Sequence, residues 1–188
     1  MKIHTLENIR TFSVPLPIYS SVHIADAESK DGTRFKLYIG MDKGVVEQLR
    51  AYSLDVSDEG IQKYTSDRAR FGEGDYETWY AKGRIPFALV EESSDRVAAL
   101  AWIGESALDG EDTDNWHTIA YRAYGSFRGK GIMKDFVAYC IQYYTQHFPG
   151  AKIWASIARA NAASAGLAHA LGFVEFKQTE EKCIMVKR

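Results

Sequence analysis

Across residues 116–148 the hydrophobic pattern changes from strand-like to helical, and the change falls on Arg128-Gly129-Lys130-Gly131. Residues 117–124 read as a strand. From there Ile132, Met133, Phe136, Val137, Cys140, Ile141, Tyr144 and Phe148 recur at i, i+1, i+4 and i+5, the stripe of an amphipathic helix that Pro149-Gly150 ends. Glycine lets the connecting backbone turn tightly and lets a ligand approach without a Cβ in the way. The first N–H groups of a helix have no internal partner, and the helix dipole favours negative charge there. Arg128 and Lys130 add cations. The arrangement suits an anion, a pyrophosphate foremost. It is not a Walker loop, and it lacks the third glycine of a dinucleotide fingerprint. It also lies two-thirds of the way along the chain, whereas a Rossmann loop follows the first strand.

The rest of the chain supplies a mixed α/β order. Residues 18–28 and 34–39 have strand character around a Ser29-Lys30-Asp31-Gly32 turn, and suggest a hairpin. A helix starts at Asp42, with Val45, Val46, Leu49 and Tyr52 at helical spacing. A second is expected from an N-cap at Ser57 to Arg70. Residues 86–90, 97–103 and 117–124 are strands, 152–157 another, and Asn161 caps a short Ala-rich helix that stops at Gly172. Residues 173–176 and 182–187 read as a closing antiparallel pair. We expect one domain over 1–188, with 1–33 as an N-terminal extension or hairpin and 34–188 as the core.

The 188 residues carry a formal net charge of −2 and no dense basic stripe, which argues against a nucleic-acid partner. No apolar run approaches a membrane span, and residues 1–10 do not resemble a signal peptide. A cytoplasmic protein without membrane contact is expected. Cys140 and Cys183 read as small buried hydrophobes, without metal-ligand spacing, so no metal is expected.

Two separate segments resemble the GNAT family of acyl-CoA-dependent N-acyltransferases. Arg128, Gly131 and Met133 match its Arg/Gln-x-x-Gly-x-Gly/Ala loop, with Met133 departing from the usual small residue. Asn161, Ser164, Leu171, Gly172 and Phe173 match its Asn-x-x-Ala/Ser helix ending in Leu-Gly-Phe. The resemblance implies a mixed sheet flanked by helices, splayed between the fourth and fifth core strands. It implies acetyl-CoA as co-substrate, its pyrophosphate on the backbone of Gly129, Lys130, Gly131, Ile132 and Met133, with Arg128 and Lys130 assisting. Asn161 and Ser164 are further CoA contacts. The main chain of Tyr121 and Ala123 would pair with the pantetheine arm and polarise the thioester carbonyl.

The implied reaction is direct attack by a primary amine, of a small molecule or a protein, on the thioester. The amine must first lose a proton. Family members with a strand base place it eleven residues before the motif Arg, here His117, which otherwise only fills a strand position; Glu105 is a second candidate. The family's general-acid tyrosine, seven residues after the helix Asn, is Ala168 here, with His169 adjacent but turned about 100° away. That gap favours the alternative of a non-catalytic CoA-binding or regulatory module on the same fold. A third reading is a nucleotide-binding protein whose loop grips another phosphate. Glu105, Asp109, Glu111, Asp112 and Asp114 would draw in a cationic amine or form a solvated face. Tyr76, Trp79 and Tyr80 would line an acceptor pocket or simply pack. A homodimer is left open.

Overall fold

A computed structural model describes residues 1–7, 12–111 and 114–188. Among them, nine strands form one sheet in the order β1-β2-β3-β4-β5-β6-β7-β9-β8. These are β1 Lys2–Thr5, β2 Ser21–Glu28, β3 Arg34–Gly40, β4 Ile85–Glu91, β5 Val97–Glu105, β6 Trp116–Ala123, β7 Lys152–Ala158, β8 Val174–Gln178 and β9 Lys182–Lys187. Every neighbouring pair is antiparallel except β6 and β7. The helices are α1 Lys43–Leu54, α2 Glu59–Tyr64, α3 Tyr76–Tyr80, α4 Met133–His147 and α5 Ala162–Ala170.

The sheet carries a core on each face. Val97–Glu105 is buried on both sides as far as Gly104, which is why its sequence is almost continuously apolar. Ala99, Ala101 and Ile103 join the α4 stripe of Phe136, Val137, Cys140, Ile141 and Tyr144. Leu100 and Trp102, alternating with them, meet Val45 and Leu49 of α1, Ile61 of α2, and Tyr76, Trp79 and Tyr80 of α3. Ala168 and Leu171 place α5 on the α4 face. Among the described residues no helix is long and apolar enough to cross a membrane.

Three local expectations change. β1 was not anticipated: it is an edge strand with mostly exposed side chains, so it lacks the alternation that marks a buried face. The helix expected over 57–70 is broken. Its cap is Asp58, whose carboxylate accepts from Ile61 N at 3.0 Å, while Ser57 bonds back to Asp55. It ends at Thr65, where the backbone becomes extended and the Thr65 hydroxyl donates to Ile61 O at 2.8 Å. A π-helical turn, Arg68–Gly72, follows. The interruption turns Asp67 into the interior, a long-range consequence that periodicity cannot carry. The aromatic trio of Tyr76, Trp79 and Tyr80 forms α3 under an Asp75 cap and is buried against the sheet, so packing describes it.

Candidate active site

The parallel pair β6 and β7 holds together at only three positions: Trp116 with Lys152, His117 with Ile153, and Thr118 with Trp154. Beyond them each strand keeps its outer partner. β6 stays paired with β5 as far as Ala123, and β7 with β9 as far as Ala158. Between the separated edges lies a cavity of about 930 Å³. Tyr124 N–H bonds to Ala98 O at 2.9 Å, so by strand alternation Arg122 and Ala120 turn their main chain toward β5. Ile119, Tyr121 and Ala123 turn theirs toward the gap. A polar strand edge of this kind demands a partner.

The glycine loop forms one end of the cavity. A 3₁₀ turn, Gly125–Phe127, leads into it, and α4 starts at Met133 without any side-chain cap. Gly129 and Gly131 have φ of 75° and 71°, and the space where a Cβ would stand is open at both. Backbone donors, an uncapped helix start and open space together fit a pyrophosphate. Met133 packs partly against the core cluster under α4 and also lines the cavity.

The cations of the loop are already paired. Arg128 donates to both carboxylate oxygens of Asp58, at 2.8 and 2.6 Å, and through Nε to Ala123 O at 3.0 Å. This hydrogen bond is the chief reason the Asp58 carboxyl lies below its usual range. Lys130 sits 3.4 Å from Asp31 at the surface. The loop's hold on an anion therefore falls to its backbone. Arg128 instead clamps the loop to the end of β6 and to the cap of α2.

On the other side, Asn161 caps α5 by accepting from Ser164 N at 3.1 Å. Tyr121 reaches across the gap to α5, donating to Ser164 O at 3.1 Å, and the Ser164 hydroxyl lies 3.4 Å from the tyrosine oxygen. Burial raises the Tyr121 phenol above its ordinary value, so it keeps its proton at neutral pH. The sequence pointed only to the main chain of Tyr121. Ala168 is buried in the core and His169 is exposed; neither lines the cavity.

The structure does not bring His117 or Glu105 to the cavity. His117 lies at the closed end of the splay, 5% exposed, paired across the strands with Glu105. Its Nδ1 meets the Tyr144 hydroxyl at 2.7 Å and its Nε2 the Asn115 side-chain oxygen at 3.1 Å. The acidic residues Asp109, Glu111 and Asp114 also lie outside the lining, and Glu111 pairs with Arg188 at 3.0 Å. Asp112 lies outside the described residues. The charged residues that do line the cavity are Lys63, Arg70, Arg122, Arg128, Lys134 and Lys182, with no Asp or Glu among the described residues. Nor do the described residues contain a cluster of His, Cys, Asp or Glu suited to a metal.

A splayed parallel pair beside an uncapped glycine loop is the sheet geometry that the resemblance of the two sequence segments implied. A family profile described as "Acetyltransferase (GNAT) domain" matches residues 41–174. The chain belongs to the GNAT acetyltransferase family. No curated protein sequence matches it. Among solved structures it is similar to a ribosomal-protein-S5-alanine acetyltransferase from Vibrio fischeri, at 15% identity and TM-score 0.65, covering 86% of this chain and 95% of that one. The GNAT domain of S. lividans PAT gives TM-score 0.66 at 13% identity, covering 86% and 94%. A spermidine N-acetyltransferase from Vibrio cholerae, solved with CoA and spermine, gives 0.59 at 14%, covering 80% and 94%. At these identities the structures speak for the shared GNAT fold.

Two outcomes follow from the geometry. Gly131→Asp sets a carboxylate over the uncapped start of α4, and CoA affinity measured by calorimetry should fall at least about tenfold, the scale of 1.4 kcal/mol. Burial holds the His117 pKa below 6.5, opposed by Glu105, so the fold prefers the neutral ring. Its contribution is complete above the unfolded value near 6.5 and declines as pH falls from there toward the folded value. The urea midpoint should therefore drop between about pH 7 and pH 5, and His117→Phe should flatten that slope.

Proposed function

We propose that this protein is an N-acetyltransferase that moves an acetyl group from acetyl-CoA to a primary amine by direct attack. The observation that carries the proposal is the gap between β6 and β7, with the backbone of Tyr121 and Ala123 facing it and the glycine loop at its end. The loop would hold the pyrophosphate, and the strand edge would accept the pantetheine arm as an added strand. Tyr121 or Ala123 N–H would stabilise the oxyanion.

In this reaction the amine nitrogen bonds to the thioester carbon, the C–S bond breaks, and sulfur leaves as thiolate. The Tyr121 hydroxyl, which reaches α5 at Ser164, would return a proton to that sulfur, regain one from water, and so stand in for the tyrosine missing at Ala168. A phenol with a raised pKa suits a donor rather than a base. The amine's own proton passes to water, because no histidine or carboxylate among the described residues lines the cavity. We accordingly assign His117 to the core rather than to proton transfer, and Glu105 with it. The two cysteines are buried and unpaired, in keeping with a reducing cytoplasm as the place of action.

The lack of a carboxylate or imidazole among the described residues lining the cavity also favours a second reading, a CoA-binding module without turnover. One assay separates them. Thiol release from acetyl-CoA should appear with members of an amine panel; tight CoA binding with silence across the panel would leave the module. Where turnover is found, Tyr121→Phe should lower kcat by roughly 10²-fold, the scale of a lost general acid, with a much smaller change in KM for acetyl-CoA. An unaltered kcat would remove the hydroxyl from the mechanism.

A further inference from the structure

The floor of the cavity holds a buried charge cluster that the acetyl-CoA site does not use. Arg122 lies on β6 between Tyr121 and Ala123, and its side chain passes to the opposite face of the sheet from Tyr121. There it pairs with Asp67; the two side chains are 7% and 1% exposed. The Tyr124 hydroxyl lies 3.4 Å from the other oxygen of Asp67. Arg70, also lining the cavity, stands 3.5 Å from Asp67 and rests on the Trp102 ring, 5.1 Å from its centroid. Two guanidinium groups thus share a single buried carboxylate, and a net positive charge remains.

Guanidinium stays ionised at any ordinary pH. Keeping such a charge from water without a full set of acceptors is costly. The Nε of Arg122 is buried and finds no acceptor among the described residues. Arg122 and Arg70 both line the cavity, so their shared positive charge is offered to an anionic group of a ligand. Arg122 pairs with Leu100, which packs with α1–α3, so the Arg122 cluster lies on the face opposite α4 and leaves that face for the acceptor. Its chemistry is that of a carboxylate, which matches the planar fork of arginine. The charge pattern agrees: a polyamine would meet only cations in the lining, whereas an amine carrying its own carboxylate would not.

We propose that the acceptor is an amino acid, a small molecule whose carboxylate is held by Arg122 and Arg70 while its amine faces the thioester. This rests on the acetyltransferase reading above.

The test uses matched acceptors with the intact protein: amino acids of varied side chain, their carboxamides, and the corresponding decarboxylated amines. kcat/KM should favour the free acids by roughly 10- to 100-fold, the scale of a hydrogen bond to a charged group. Arg122 also neutralises Asp67, so its loss risks the fold. Arg70→Gln leaves the Asp67–Arg122 pair in place, and it should narrow the acid-to-amide ratio while the Kd for acetyl-CoA stays the same. Equal or faster acetylation of the amides, the plain amines or peptides would overturn the carboxylate site and leave the acetyltransferase standing. An acid preference unmoved by Arg70→Gln would take Arg70 out of the site and overturn the proposal as stated. No thiol release with any acceptor would overturn both.

Discussion

The structure depends on a parallel pairing that stops after three residues. β6 and β7 each have a full outer partner, so the sheet loses little by letting them part beyond Thr118 and Trp154. What the parting leaves is a row of main-chain groups at the edge of a cavity. An extended amide-bearing chain satisfies them as a neighbouring strand would. In the proposed acetyl-CoA complex the pantetheine arm would take the place of sheet, and side-chain identity along β6 is free to serve other purposes. Tyr121 and Arg122 illustrate that freedom. Adjacent in sequence, they project to opposite faces, one toward α5 and the other toward Asp67.

A second constraint joins the two halves of the cavity. Arg128 belongs to the glycine loop, yet its guanidinium grips Asp58, the cap of α2, and the end of β6. The capping carboxylate thus has two tasks, bonding the first turn of α2 and anchoring the loop. Partial exposure of this pair limits its contribution to stability. Its geometric role is larger, because it sets α2 and the residues after it against the mouth of the splay.

Much of the fold was legible because the local rules agreed. Strand character marked β4 and β6, a continuous apolar run marked the doubly buried β5, and helical spacing marked α4. Asn161 and Gly172 bracketed α5 by ordinary cap chemistry. Legibility failed where tertiary contacts overrode local signals. β1 is held by pairing with β2 and by contacts to α4 such as Thr5 with Tyr139 at 3.2 Å, and the 57–70 segment breaks at Thr65, which turns Asp67 inward toward an arginine 55 positions away. His117 had the right spacing for a base, but spacing does not reveal that both ring nitrogens are engaged by Tyr144 and Asn115.

The glycine loop and the cap of α5 were therefore determined by the sequence itself. A glycine loop, an uncapped helix start and an asparagine cap act through neighbouring residues, and their backbone preferences survive in any context that permits the elements. The buried charge cluster beside the cavity was decided by the tertiary structure. Only the sheet register and the broken helix bring Arg122, Asp67 and Arg70 together, and only the closed end of the splay removes His117 from the cavity. Burial gives those charges their meaning, and burial is a property of the folded whole.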